Sequence, residues 1–250
     1  MIPKKIHYCW FSGEPYPDSI QKCLDSWSKH LVDYKFIHWD FAKAAALNIP
    51  WVNQALSQKN WAFAADAVRL YALYTEGGIY LDTDVEILRP LDAFLNQSYI
   101  FGYENGSDRI EAAIMGAEKG FVPLKVALDF YKNQEFKYSE KTVDQMVLPN
   151  ILREAFKDFK DLQILPESAF SPKSFVDGKI RITAETYSIH HFRSSWRPES
   201  VRKGIARRQA LFARFPQPIA KAFALPLALW TNLTTLGVAG CVKKICKKLF

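Results

Sequence analysis

One stretch limits the possible folds of this chain more than any other. Trp61 to Asp92 reads WAFAADAVRLYALYTEGGIYLDTDVEILRPLD. Ala62, Ala65, Val68, Leu70, Ala72 and Leu73 spread apolar side chains around a helix, which predicts an element buried on most of its surface. Gly77 is placed to end it in the left-handed conformation, and Ile79-Tyr80-Leu81 restarts the chain as a strand. An apolar strand then delivers two carboxylates, Asp82 and Asp84. In an open α/β sheet ligands bind beyond the carboxyl ends of the strands. If strand geometry continues, residues two apart face one side at a spacing of about 7 Å. Two hard oxygen ligands without a neighbouring His or Cys suit Mg²⁺ or Mn²⁺, ions commonly shared with substrate phosphates. A nucleotide diphosphate is the expected guest.

A lone Asp-x-Asp occurs by chance in solvated turns, so its context carries the weight. Asp66 and Arg69 stand at i and i+3 on the preceding helix and share a face. A buried helix that sends a charged pair toward the same strand end calls for a polar ligand. The alternative is a purely internal Asp66–Arg69 ion pair.

The run AADAVRLYALYTEGGIYLDTDVEIL resembles the signature of the DXD-containing glycosyltransferases of family 32, which include capsular-polysaccharide sugar transferases and initiating mannosyltransferases. It is similar, more distantly, to the catalytic domain of the large glucosylating toxins. The resemblance extends to IPKKIHYCWFSG, which looks like the opening strand whose Trp, here Trp10, stacks on the nucleotide base. It also covers Ser-x-Trp near residue 196, where Ser194 and Trp196 look like a closing lid. In that lid the hydroxyl lies near the metal and the indole donates to the diphosphate. By the same resemblance Asp66 and Arg69 hold donor sugar hydroxyls, Tyr80 forms a donor-side wall, and Asp82 contacts ribose, sugar and metal shell. Asp84 is the first choice for direct metal ligation. Where the family often carries Asn before the alanines of a later segment, this chain has Glu111, which puts the acceptor-side contact there in question.

The remaining pattern fits an α/β domain. Lys4–Trp10 alternates as a first strand, Asp18–His30 reads as a helix capped by Asp18, and Tyr34–Trp39 as a second strand. Strand, helix and strand at this spacing form the βαβ rhythm of a parallel sheet. No GxGxxG follows the first strand, which removes support for a dinucleotide site. Residues 41–59 are helical or mixed, 99–104 and 110–116 resemble strands, and 122–132 and 142–156 helices; the polar pair Asp144-Gln145 stays unassigned. His190 and His191 are adjacent, and adjacent strand residues point to opposite faces, so the two cannot readily bind one ion.

After Trp196 the composition changes. Residues 197–250 carry eleven Lys or Arg against the single acid Glu199, so the net charge of +7 belongs to this tail. Between its basic clusters lies AFALPLALWTNLTTLGVAGCV, residues 222–242, long enough to reach across a bilayer core. Pro226, Asn232 and the threonines weaken a spanning reading, and positive charge on both sides favours the surface of an anionic membrane. The apolar stretch argues against nucleic acid as the partner of the basic tail; a helical cap on the domain is the other alternative. The opening MIPKKIHYCWFSG has no apolar core of a secretory leader, and Cys9, Cys23, Cys241 and Cys246 lack a metal-type spacing. The expected location is the cytoplasm, peripheral on the inner face of the cell membrane.

These readings give a fold of class α/β, a GT-A type Rossmann-like sheet with flanking helices over residues 1–196, followed by a basic amphipathic tail over 197–250. The expected activity is transfer of a sugar from a UDP- or GDP-sugar, with Mn²⁺ or Mg²⁺, to a glycan or lipid-linked acceptor of surface-polysaccharide synthesis. The resemblance implies retention of anomeric configuration, by front-face substitution in the absence of an evident carboxylate nucleophile. Two rivals remain: a non-catalytic nucleotide-sugar or glycan-binding protein attached to the membrane, and a metal-dependent phosphohydrolase.

Overall fold

The structure is a computed structural model that describes residues 1–139, 146–194, 197–216 and 218–223. Two compact units emerge from its contacts, Met1–Pro172 with Ile182–Arg193, and Lys173–Arg181 with Ser194–Phe250.

The first unit holds a five-stranded mixed sheet with flanking helices, an arrangement typical of the GT-A type. Its order is β2 (Lys35–Trp39), β1 (Lys5–Cys9), β3 (Gly78–Leu81), β6 (Ile114–Ala117) and β5 (Tyr99–Ile100). The first three run parallel, while β6 is antiparallel to both β3 and β5. The expected βαβ rhythm therefore holds only as far as β3, and the sheet as a whole is mixed rather than parallel. His7 and Cys9 are buried along with Ile6 because β1 is central, covered on both faces.

Helix α1 (Asp18–His30) follows β1. Asp18 lies inside its first turn rather than capping it; Pro17 is the N-cap, and no side-chain cap forms. Helices α2 (Phe41–Ala45) and α3 (Pro50–Ser57) lead into α4 (Trp61–Glu76). The alanines of α4 let it lie close to its neighbours, and Phe63, Val68, Leu70 and Leu73 are all buried. Gly77 ends α4 with φ 66 and ψ 174, a positive φ but not the left-handed helical cap expected. The extended ψ turns the chain straight into β3. Gly78 follows at φ 120, and a Cβ there would stand 2.8 Å from the Lys5 carbonyl, so both positions require glycine.

Beyond β3, strand β4 (Val85–Ile87) leaves the main sheet and pairs antiparallel with β7 (Ser188–His190), Val85 opposite His190. Helix α1 pins β4 in place: the Trp27 indole donates to the Val85 carbonyl at 2.7 Å, and Ser26 Oγ accepts from Ile87 N at 2.9 Å. Helices α5 (Val122–Lys132), α6 (Leu148–Phe156) and the short α7 (Glu167–Phe170) complete the unit. Ile6, Trp27, Ile79, Leu81, Val85, Ile114 and Phe170 belong to one core cluster that spans both sheets.

In the second unit Lys173 and Ile180 form a β-bridge, and Gln209 Nε2 donates to the Phe175 carbonyl at 3.3 Å. Its helix α8 (Glu199–Arg214) buries no residue. Among the described residues no helix is long and apolar enough to cross a membrane. The apolar stretch of the tail lies, from residue 224 on, outside the described residues.

Candidate metal and donor site

The site is built at the carboxyl edge of the parallel strands. Asp82 N still donates to the Ala113 carbonyl of the segment that leads into β6 at 2.8 Å, but the strand stops there. Val85 N donates back to the Asp82 carbonyl at 3.0 Å, which closes a tight turn over Asp82-Thr83-Asp84-Val85. The two carboxylates therefore share a site through a turn, not through the continued strand that the spacing suggested.

Asp82 is held from below. Arg69 reaches it with both guanidinium ends, Nη2 to Oδ1 at 3.1 Å and Nη1 to Oδ2 at 3.3 Å. Tyr80 Oη donates to Oδ1 at 2.9 Å. Arg69 Nη2 also pairs with Asp66 at 3.1 Å, Nη1 donates to the Ala112 carbonyl at 2.6 Å, and the guanidinium lies 4.5 Å from the Tyr80 ring centroid. The Asp66–Arg69 ion pair that stood as the alternative to a ligand is thus present, but it is not purely internal to the helix, because the same guanidinium also holds Asp82. Two carboxylates share one buried cation. Burial pushes Asp66 up to about 7 against the pull of Arg69, and burial likewise raises Asp82. Arg69, raised by Asp82 and Tyr80 despite its burial, stays charged. Tyr80 is only 1% exposed and lies beneath Asp82, where it supports the carboxylate.

Asp84 is held from the other side, by the segment after β7. Arg193 N donates to Oδ2 at 2.9 Å, and His191 N to the Asp84 carbonyl at 3.1 Å. Between them Phe192 takes φ 52, an uncommon conformation for a bulky side chain, and its ring lies 3.9 Å from that of His190. His190 Nε2 stands 3.5 Å from Asp84 Oδ1. Ligand atoms of Asp82, Asp84 and His190 all fall within 4.8 Å of one another. Two carboxylates and an imidazole fit a divalent cation such as Mn²⁺. His191 instead meets Glu86 at 2.9 Å, so the two histidines do face apart as the strand geometry required.

His190 is the residue that sequence reasoning missed. It lies 106 positions beyond Asp84 and arrives only through the β4–β7 pairing, which no local pattern announces. Behind it sits Glu111, 2% exposed, whose oxygens lie 3.1 Å from Nδ1. Burial works against the imidazolium, but Glu111 and Asp84 outweigh it and raise His190 to about 9. Burial also opposes the Glu111 charge, yet His190 and the hydrogen bonds from Ala113 and Ser171 hold its carboxyl below the usual value. A cation taking Nε2 must therefore displace a proton.

Trp10 follows β1 on the same edge and lines a cleft of about 570 Å³ with Tyr16, His38, Asp40 and Phe41. Its ring lies 4.9 Å from that of Tyr16, and its indole donates to the Glu14 carbonyl at 2.8 Å. Ser194 begins the second stretch of the smaller unit, with φ 48. Trp196 and the Asp144-Gln145 pair lie outside the described residues.

Residues 17–101 match the family described as "Glycosyltransferase sugar-binding region containing DXD motif". That span holds Asp66, Arg69, Tyr80, Asp82 and Asp84, and it relates this part of the chain to DXD-containing glycosyltransferases. Over 102 residues, 38% of this chain, the sequence is 34% identical to "Inositol phosphoceramide mannosyltransferase 3" of Schizosaccharomyces pombe, covering 28% of that protein. Over 118 residues, 42% of the chain, it is 31% identical to "Mannosyl phosphorylinositol ceramide synthase SUR1" of Saccharomyces cerevisiae, covering 30% of it. The chain thus spans less than a third of the length of these curated relatives. Among solved structures it is similar to "PaToxG Glycosyltransferase", at 19% identity and a TM-score of 0.49 over 63% of this chain and 70% of that one. A likeness that loose bears on neither fold nor activity.

Proposed function

We propose that the protein is a metal-dependent, retaining glycosyltransferase that moves a sugar from a UDP- or GDP-sugar to a glycan or lipid-linked acceptor. The observation that carries this reading is the convergence of Asp82, Asp84 and His190 on one point, within the reach of a single cation. The match over residues 17–101 supports the same chemistry.

A divalent ion bound there supplies positive charge to the departing diphosphate, without any proton transfer. Asp84 is the direct ligand in this account, since Arg69 and Tyr80 engage both oxygens of Asp82, whereas Asp84 Oδ1 stands 3.5 Å from His190 Nε2, itself a candidate ligand to the same cation. Asp82, fixed by those contacts, faces donor hydroxyls and the metal's surroundings. Arg69 keeps Asp82 ionised and oriented, and Asp66 shares its charge. Trp10 offers its ring to the nucleotide base in the cleft. By the resemblance alone, Ser194 would add a hydroxyl to the metal shell and Trp196 an indole N–H to the diphosphate. Substitution at the face the diphosphate leaves accounts for retention without a carboxylate nucleophile. The basic residues 197–250 hold the protein on the inner face of the cell membrane, where lipid-linked acceptors of surface polysaccharide lie.

The test is turnover against a panel of UDP- and GDP-sugars, with and without acceptor, in Mn²⁺ and in chelator. The expected result is metal-dependent consumption of one donor, faster with acceptor. Donor binding without turnover under every condition would favour the non-catalytic reading, and full turnover in chelator would refute the metal.

A further inference from the structure

The contact behind His190 is more specific than a metal site needs for mere assembly. Glu111 is held through its backbone N–H and both carboxylate oxygens. Its N–H donates to the Gly102 carbonyl at 2.8 Å, Ala113 N donates to Oε1 at 3.0 Å, and the fully buried Ser171 donates through Oγ to Oε2 at 2.7 Å. Both carboxylate oxygens then face His190 Nδ1 at 3.1 Å. The neighbouring acid Glu104 has its own partner in Arg109, so Glu111 is left to the imidazole. Phe192 packs on the ring and limits its rotation. A carboxylate so anchored fixes the ring plane, keeps a proton on Nδ1, and turns Nε2 toward Asp84.

We infer that Glu111 is a positioning residue that presents His190 Nε2 as a nitrogen ligand beside Asp84 and thereby gives the centre a preference for Mn²⁺ over Mg²⁺. The inference rests on the metal reading above. Its chemical basis is that imidazole is a good ligand for transition metals, whereas Mg²⁺ favours oxygen donors and retains its waters. A carboxylate accepting from the far ring nitrogen also makes the near one more basic.

The experiment measures Mn²⁺ and Mg²⁺ affinity of the full chain by titration, with pulsed electron paramagnetic resonance of bound Mn²⁺ to detect ¹⁴N coupling from imidazole. The intact protein should bind Mn²⁺ more tightly than Mg²⁺ and give the nitrogen signal. Glu111→Ala should lose that signal and about ten- to a hundredfold in Mn²⁺ affinity, with Mg²⁺ affinity little changed. Glu111→Gln still accepts from Nδ1, so it should keep the nitrogen signal yet bind Mn²⁺ several-fold more weakly, and it decides the matter if Glu111→Ala does not fold. Unchanged Mn²⁺ affinity in the variants that fold, while Asp84→Asn abolishes binding, would overturn the role of Glu111 and leave the metal reading standing. An intact protein that binds no Mn²⁺ would overturn both.

Discussion

Asp82 and Asp84 stand two residues apart on one turn, yet their surroundings are opposite in kind. Asp82 is tied by Arg69 and Tyr80, groups from its own helix–strand unit, and its balancing charge is a guanidinium that never titrates in the physiological range. Asp84 is tied by backbone N–H groups more than a hundred residues away and by an imidazole that can give up its proton. The first carboxylate is neutralised permanently. The second is balanced by a group that a cation can replace. The difference separates a carboxylate that shapes the site from one whose partner a cation can displace.

The largest effect should come from cutting the permanent support. Arg69→Met leaves Asp66 and Asp82 near each other without their cation, and loss of one partner of a buried pair costs about 3–5 kcal/mol. Chemical denaturation should record a loss of that size. A loss under about 1 kcal/mol would mean that the array is too well solvated for Arg69 to matter. Asp84→Asn should act in the opposite way. Its remaining carbonyl oxygen can still accept from Arg193 N, so thermal unfolding should hardly move, while metal-dependent donor turnover falls by about a hundredfold or more. A variant that unfolds early but retains turnover per folded molecule would place Asp84 with Asp82 among the structural groups.

A subtler test concerns the sharing of one cation between two carboxylates. Asp66 is raised to about 7 in the folded protein, chiefly by burial, against an ordinary value of 3.8. The folded state thus holds this proton more tightly than the unfolded one. The stability it contributes is complete below about pH 3.8 and is lost as pH rises through about 7. Asp66→Asn removes the titration. The stability of the variant relative to the natural protein should therefore grow between pH 4 and 7.5, measured by denaturant unfolding at each pH. A constant difference across that range would mean that Asp66 stays ionised throughout.

The same contrast explains what the sequence could reveal. Asp66, Arg69, Tyr80 and Asp82 lie within seventeen residues on one helix and at the strand after it; periodicity brought Asp66, Arg69 and Asp82 into a single reading, and the family resemblance added Tyr80. The break at Gly77 was legible because the chain must turn sharply between those elements, although ψ at Gly77 follows from β3 and not from a helix cap. His190 and Glu111 were not legible as site residues. Their approach depends on the pairing of β4 with β7 and on the loop before β6, contacts between segments far apart in the chain. The turn at 82–85 was concealed for a related reason: Asp82-Thr83-Asp84 alternates like a strand, and only the departure of β4 toward β7 forces the chain to bend.

Whether Asp84 binds the cation while Asp82 stays committed to Arg69 is decided by calorimetric titration of Mn²⁺ into the full chain and into Asp84→Asn, with thermal unfolding followed on the same samples. The account predicts that Asp84→Asn binds Mn²⁺ at least about a hundredfold more weakly and unfolds at nearly the natural temperature. Natural Mn²⁺ affinity in Asp84→Asn would contradict it.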